Sequence, residues 1–410
     1  MERSQCEALD RADPLAPLRQ RFRVPQGVIY LDGNSLGALP ADVPGRIAQV
    51  VEQEWGEGLI TSWNRAGWVD APRRTGARIA PLIGAQADEV IATDGVTINL
   101  FKLVAGALRL LPERRVIVTE LDNFPTDLYV LQAACDWLGG EHTVRRVARK
   151  ELESAIDRDV ALVALSHVDY RSSELLDLPG LTRSARDVGA LSLWDVSHSA
   201  GVLPVELGAA GVDLAVGCGY KYLNGGPGAP AFVYLKRELA ERFRQPIEGW
   251  FGHADPFAFE LDYRPGPGVQ RALSGTPNVL SLLALESALG VFEGVEIAAV
   301  RRKSVALGEL FVSEVEANCG DSSLELASPR RGEARGSHVS FHHEHGYAIV
   351  QALIARGVIG DFRPPDLLRF GFGPLYLRYT DVWDAARALA DVLATGDWDR
   401  PEYHRRAAVT

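Results

Sequence analysis

The 410 residues contain only four cysteines, Cys6, Cys135, Cys218 and Cys319, widely spaced and without a CxxC pair. Four are too few to staple a chain of this length, which points to a reducing compartment rather than to a disulfide scaffold. Long apolar runs are missing as well: no stretch of eighteen apolar residues occurs, and the opening MERSQCEALDRADPLAPLRQRF carries acids where a signal peptide would be apolar. Export and membrane spanning are therefore not expected, and a cytoplasmic location is. Basic residues are not in excess. The formal net charge of −11 argues against nucleic acid or an anionic membrane as partner, although a pocket can still hold a small anion where amides and basic groups converge. Internal repeats and low-complexity segments are also lacking.

What is present suits a globular protein of two domains, since the chain is too long for one small core and its hydrophobic share is 47%. Residues 41–58 place Ile47, Val50, Val51 and Trp55 at helical spacing, which predicts an amphipathic helix. From about 90 to 236, helical stretches alternate with the short apolar runs RVIVTE, VALVALSHV, LSLWDVSH, LAVGCGY and AFVYLK. Such runs fit strands covered on both faces, and so a mainly parallel sheet flanked by helices. YRPGPGVQRALSGTPNV (263–279) reads as an ordered loop, and a long helical pattern from about 280 to 318 follows the domain change. Beyond it come an exposed turn (326–337), a strand at HVSFHH, a helix (347–356), GDFRPPDLLRFGFG as a loop, and a last helix near 381–394.

The strongest chemical signal is GCGYKYLNGGPGAPAFVYL (217–235), where Lys221 follows an apolar strand and precedes a glycine-rich turn. A lysine held half-buried at a strand end has a lowered pKa and is a candidate Schiff-base nucleophile; alone, the pattern equally fits a surface lysine beside a tight turn. LWDVSHSAG (193–201) is a second strand end, bearing Asp195 and His198, and the interval to Lys221 suits one crossover. A carboxylate there could sit under a pyridine ring whose aldehyde reaches Lys221 and keep the ring nitrogen protonated, or could simply cap the next helix. TDGVTINLF (93–101) offers free amides and the Thr97 hydroxyl at a helix start, a phosphate cradle or a plain N-cap. In DNFPTDLYV (122–130), Phe124 could stack on a ring and Asp127 bond its substituents, although an ordinary loop between strand and helix fits as well.

Taken in order, these segments resemble the kynureninase family over nearly the whole chain: YLDGNSLGALP (30–40), NFPTDLYV, WDVSHSAG, GYKYLNGGPGAPAF, GWFGHADPFAFELDY, LSGTPNVL and GDFRPPDLLRFGFGPLY. The resemblance implies an α/β architecture of the PLP-dependent transferase type (fold type I). A large domain would hold a mainly parallel sheet of seven-stranded type flanked by helices, beside a smaller α+β domain. It assigns 1–60 to a segment packing with the small domain, 61–285 to the PLP-binding domain and 286–410 to the C-terminal small domain. The implied cofactor is pyridoxal 5′-phosphate (PLP), and the implied reaction is hydrolysis of L-kynurenine to anthranilate and L-alanine, within tryptophan degradation and NAD biosynthesis.

By the same resemblance Val96 and Thr97 bind the phosphate, and Phe124, Pro125, Thr126 and Asp127 cover the ring. Ser166, Asp195 and His198 hold the pyridine side, and Tyr220 precedes the Schiff-base Lys221; Lys221, Tyr220 and Asp195 are the implied catalytic residues. Trp250 and Thr276 approach the phosphate from a neighbouring subunit, so a homodimer with shared sites is implied. Arg369, with Asn34, Ser35 and Trp63, falls to the substrate. A planar guanidinium suits the α-carboxylate because it grips both oxygens at once, yet Arg363 and Arg378 stand close by in sequence and motif alone separates the three. Thr276 and WNRAGW (63–68) look like the bacterial form, which favours kynurenine over its 3-hydroxy derivative.

GCGYKY lacks the Ser that commonly precedes the Tyr-Lys pair in this family, and ALSGTP lacks the usual Phe. Rival readings are another enzyme of the same fold, such as an aminotransferase or a cysteine desulfurase using Cys319, and a non-catalytic PLP-binding regulator. The histidines His338, His342, His343 and His345 read as packed or solvated side chains, and no metal is expected.

Overall fold

The computed structural model describes residues 1–320 and 322–407, so Asp321 and the last three residues of the 286–410 segment lie outside it. The five apolar runs become strands, joined by two that the sequence reading did not single out. In chain order they are β1 (Val90–Thr93), β2 (Val116–Glu120), β3 (Thr143–Val147), β4 (Val160–Ser166), β5 (Leu191–Asp195), β6 (Leu214–Gly217) and β7 (Ala231–Leu235). They form one seven-stranded sheet in the order β1-β7-β6-β5-β4-β2-β3. Only β7 runs antiparallel to its neighbours; the remaining pairs are parallel. β4 is buried along nearly its full length, as expected for a parallel strand covered by helices on both faces. The edge strand β3 is half exposed and carries Arg145 and Arg146, charges that discourage further strand addition.

Strands β4 and β5 end in register at Ser166 and Asp195, and Asp195 lies opposite Val216 in β6. Two polar positions are thus delivered to the carboxyl edge of the sheet, where sheets of this kind bind ligands. The chain then turns sharply after Lys221. Asn224 takes a left-handed conformation with φ 58°, its backbone N–H donating to the Lys221 carbonyl at 2.9 Å and its side chain to the Tyr222 carbonyl at 2.8 Å.

A second, four-stranded sheet joins β8 (Glu325–Leu326), β9 (His338–His342), β10 (Asp361–Arg363) and β11 (Leu367–Gly371) in the order β10-β11-β9-β8. The helices Ile297–Asn318 and Gly346–Ala355 pack on it, and the helix Tyr379–Thr395 packs on both of them. GDFRPPDLLRFGFG is therefore a hairpin and not the expected loop. Its glycines and prolines concealed two short strands, which close because Leu367, Leu368 and Phe370 are buried while the prolines occupy the turn. Two further expectations change. The helical pattern 280–318 is broken after Phe292 by a turn through Gly294 (φ 74°). In the 41–58 helix, which relaxes into a wider turn from Val50 to Trp55, only Val50 of the apolar face is buried, and Trp55 is 56% exposed.

The N-terminal segment forms a small two-stranded sheet with the C-terminal part and also reaches the loop after β6. Ile29–Tyr30 pairs with Val358–Ile359, and the Gly37 N–H donates to the Tyr220 carbonyl at 2.7 Å. Only glycine fits at 37, because a Cβ would stand 2.2 Å from the Lys221 carbonyl oxygen.

Candidate active site

A cavity of about 220 Å³ opens at the carboxyl edge of the large sheet, and Lys221, Tyr220, Asp195, His198, Ser166, Asp127, Thr126, Phe124, Val96 and Thr97 all line it. Five segments far apart in sequence thus meet as expected. Pro125 starts the helix Pro125–Trp137 but does not line the cavity, a role for which its fixed φ and absent N–H suit it. Val168, Tyr170 and Ser197 also line it and were not anticipated. VDY directly continues the β4 run, so its place at the strand's carboxyl end was the available signal.

Lys221 Nζ lies 3.1 Å from His198 Nε2. Burial, then the charges of Lys221 and of the neighbouring His338, hold His198 well below its usual pKa, so a neutral imidazole faces the amine. Burial also lowers the Lys221 pKa, against the pull of Cys218 and Asp195. That brings the amine toward its nucleophilic form. Tyr220 is pushed the other way by Cys218, burial and Asp195 together, and its phenol stays protonated.

The carboxylates are short of donors. Asp195 accepts the Ser197 N–H at 2.6 Å, yet burial raises its pKa in spite of that bond and of Lys221. Asp127 is raised further, by burial and by the charge of Asp195. Ser166 reaches one of its oxygens at 3.3 Å, while Oδ1 is buried without a hydrogen-bond partner. Two crowded acids with an unmet acceptor call for a donor from outside the chain, and a protonated pyridine nitrogen is one. At the other end of the cavity the helix Val96–Leu110 begins after Gly95, which has no side chain to cap the free amides; that end fits a phosphate. The Phe124 ring, 41% exposed, meets the Tyr170 ring edge-on at 5.1 Å. PLP fits this donor and acceptor set.

The remaining expected residues lie elsewhere. Arg369 is 2% exposed and lines no part of the Lys221 cavity, although its Nη1 donates to the Tyr170 carbonyl at 2.6 Å. Its Nε and Nη2 donate to Asp361 at 2.8 and 2.5 Å, and Nη2 also to Ser35 Oγ at 2.9 Å. Asn34 is fully buried, its amide oxygen 3.0 Å from Arg369 Nε in the orientation that satisfies both. Arg363, more accessible, pairs with Asp361 at 2.7 Å, whereas Arg378 pairs with Asp381 at the start of the last helix. Trp63 packs against Trp68 and Phe251, outside the cavity lining. Trp250 and Thr276 also lie outside it, both on exposed surface. Cys319 is buried, and burial raises its thiol pKa to about 11, the reverse of what a reactive cysteine needs. Among the described residues no helix is long and apolar enough to cross a membrane.

A family model described as the Kynureninase C-terminal domain matches residues 300–389. The chain is 52% identical over 413 residues to the kynureninase of Burkholderia mallei, covering 100% of this chain and 99% of that one. It is 51% identical over 413 residues to the kynureninase of Pseudomonas fluorescens, with the same coverage of 100% and 99%. Among solved structures, the apo cysteine desulfurase of Thermococcus onnurineus superposes with a TM-score of 0.78 at 19% identity, over 92% of this chain and 98% of that one. A cystine C–S lyase in complex with its product cysteine persulfide superposes with 0.76 at 18% identity, over 89% and 98%. These two bear on the fold alone.

Proposed function

The chain belongs to the kynureninase family and is a PLP-dependent hydrolase acting on a carbon–carbon bond; from the geometry we propose how its residues divide that work. The reaction is hydrolytic cleavage of the Cβ–Cγ bond of L-kynurenine to anthranilate and L-alanine. When bound, PLP supplies an aldehyde that condenses with amines and a ring that accepts the electron pair left at the substrate α-carbon. Lys221 would hold the cofactor through its amine, and that amine, when free, is placed to remove and return protons as general base. Asp195 would keep a proton on the ring nitrogen of the cofactor, with Asp127 and Ser166 bonding the ring, Phe124 and Thr126 packing on it, and the amides of Val96 and Thr97 holding the phosphate. His198, neutral at 3.1 Å, accepts a hydrogen bond from the Lys221 amine. Tyr220 is a proton donor at the same cavity. Arg369, with Ser35 and Asn34, receives the substrate carboxylate, and Trp63 borders the aryl side.

We further propose a homodimer in which Trp250 and Thr276 complete the partner's phosphate site, because both are displaced from the cavity of their own chain. Trp55, Leu59, Ile60 and Leu280 are exposed apolar side chains that such an interface would cover. The division into 1–60, 61–285 and 286–410 is favoured by the docking of the first helix on the last, where Asp10 accepts from Tyr379 N at 2.6 Å and Thr380 Oγ1 at 2.7 Å. A reducing, cytoplasmic setting agrees with four free, buried cysteines.

The observation that carries the site assignment is the convergence of Lys221, Asp195 and the Val96 helix start on one cavity. The test is to supply purified protein and PLP with kynurenine and, separately, 3-hydroxykynurenine, following the fluorescence of the anthranilate and 3-hydroxyanthranilate that they respectively release. Turnover with kynurenine as the better substrate is expected. Absence of any anthranilate would refute the reading.

A further inference from the structure

The arginine cluster that faces the substrate carboxylate carries more negative charge than it needs. Asp361 accepts from Arg369 Nε and Nη2, from Arg363 at 2.7 Å and from Ser35 Oγ at 2.9 Å. Burial works against its charge, but the two arginines prevail and hold it below the usual carboxylate range. Asp361 is therefore an ionised, fully bonded anion. Asp32, on the N-terminal segment, faces the same group with less support: Ser35 and the two arginines favour its charge, but its Oδ1 is buried and has no hydrogen-bond partner, and burial with the Asp361 charge outweighs them.

The phenols packed around Asp32 do not relieve it. The Tyr30 hydroxyl donates to the Leu36 carbonyl at 2.8 Å and that of Tyr222 to the Ser337 carbonyl at 3.0 Å, while the buried Tyr376 hydroxyl has no partner. Arg369 and Arg363 are both oriented on Asp361. With Asp32 ionised, two carboxylates cancel two guanidiniums, and an incoming carboxylate would meet a neutral cluster with an unpaired anion at its edge. With Asp32 protonated the cluster carries one net positive charge.

We propose that Asp32 is the proton-bearing positioning residue of the carboxylate site: the cluster takes up a substrate carboxylate together with one proton, which resides on Asp32. This rests on the reading that the Arg369 cluster receives the α-carboxylate. Burial and the Asp361 charge raise the Asp32 pKa to about 7, so the exchange falls within the physiological range. Below that pH the proton is already in place and carboxylate binding is strong. Above it each unit of pH weakens binding by up to about tenfold.

The test uses holoenzyme and 4-oxo-4-phenylbutanoate, an aryl ketone acid with no amine, beside its uncharged amide, with Kd measured calorimetrically from pH 6 to 9. We expect the acid's Kd to be flat below about pH 7 and to rise toward tenfold per unit above it, the amide's to be level throughout, and Asp32→Asn to hold the acid's Kd at its low-pH value. A wild-type acid profile no steeper than the amide's, or a slope that survives Asp32→Asn, overturns the proposal. Should the variant fail to fold, wild type decides alone through proton uptake at pH 8, compared in buffers of different ionisation enthalpy: close to one proton with the acid and none with the amide supports the proposal, and equal uptake overturns it. An acid that does not bind at any pH while the amide does refutes the carboxylate site itself.

Discussion

Tyr170 stands between two polar clusters, its ring lining the Lys221 cavity and its carbonyl accepting from Arg369. On the cavity side, buried carboxylates lack donors: Asp127 keeps an unpartnered oxygen, burial raises the pKa of both Asp127 and Asp195, and the Asp195 charge raises Asp127 further. On the other side two guanidiniums share one fully bonded carboxylate, with Asp32 in reserve. The first cluster is open and would be completed by a cation-like donor such as a protonated ring. The second is closed on itself and must be loosened for an anion to enter. A permanently resident cofactor suits the first arrangement, and a substrate that comes and goes suits the second, since a site already neutral releases its ligand readily.

If that contrast is right, damage on the open side should be catastrophic. Lys221→Ala removes both the covalent tether and the base; loss of roughly 10⁴ in kcat or more is expected, at the upper end of what a general base contributes. It should also abolish the near-visible absorbance that lysine-bound PLP gives, and an unchanged spectrum would remove Lys221 from the mechanism. Asp195→Ala comes next. Breaking a buried charge pair costs about 3–5 kcal/mol, which is two to nearly four decades in rate if felt in the transition state. A near-normal kcat in that variant would mean the ring nitrogen needs no carboxylate, and the donor-poor reading of the cavity would fall.

The two clusters also differ in how far the sequence revealed them. The cavity residues sit at strand ends and helix starts within short motifs, so apolar runs placed Asp195 and Lys221 at strand ends before any coordinates, while Ser166 came from the family resemblance and the register sets it beside Asp195. The edge strand TVRRV escaped notice because its half-exposed arginines break the apolar run that marked the others. The arginine cluster was only half legible. Arg369, Asn34 and Ser35 were named, but Asp361 lay hidden in a segment read as a loop, and only the hairpin register sets it opposite Arg369. Asp32 reaches the group because its backbone bridges to Gly371, a long-range pairing that no local pattern encodes. Gly371 itself is required there, since a Cβ would lie 1.7 Å from the Asn34 side chain. Val51 and Trp55 stand exposed on a helix that the spacing did predict, because helical spacing identifies an apolar face but not what covers it.

The smallest expected effect probes the closed cluster without any ligand. A carboxyl whose folded pKa is raised from 3.8 to about 7 binds more protons in the native state than in the unfolded chain. Its contribution to stability is therefore full below about pH 4, declines as pH rises, and is lost once pH passes about 7. Each pKa unit corresponds to about 1.4 kcal/mol; Asp32 retains partial solvent access, so the alkaline penalty is discounted to roughly 1–3 kcal/mol. Asp32→Asn keeps the side-chain shape and removes the titration. The variant should therefore gain stability on wild type by that amount at pH 8–9 and lose the advantage at pH 4, read as the shift in urea midpoint across the series. Parallel midpoints for the two proteins at every pH would show that Asp32 is already compensated by its arginine neighbours, and the two clusters would then not differ in the way described.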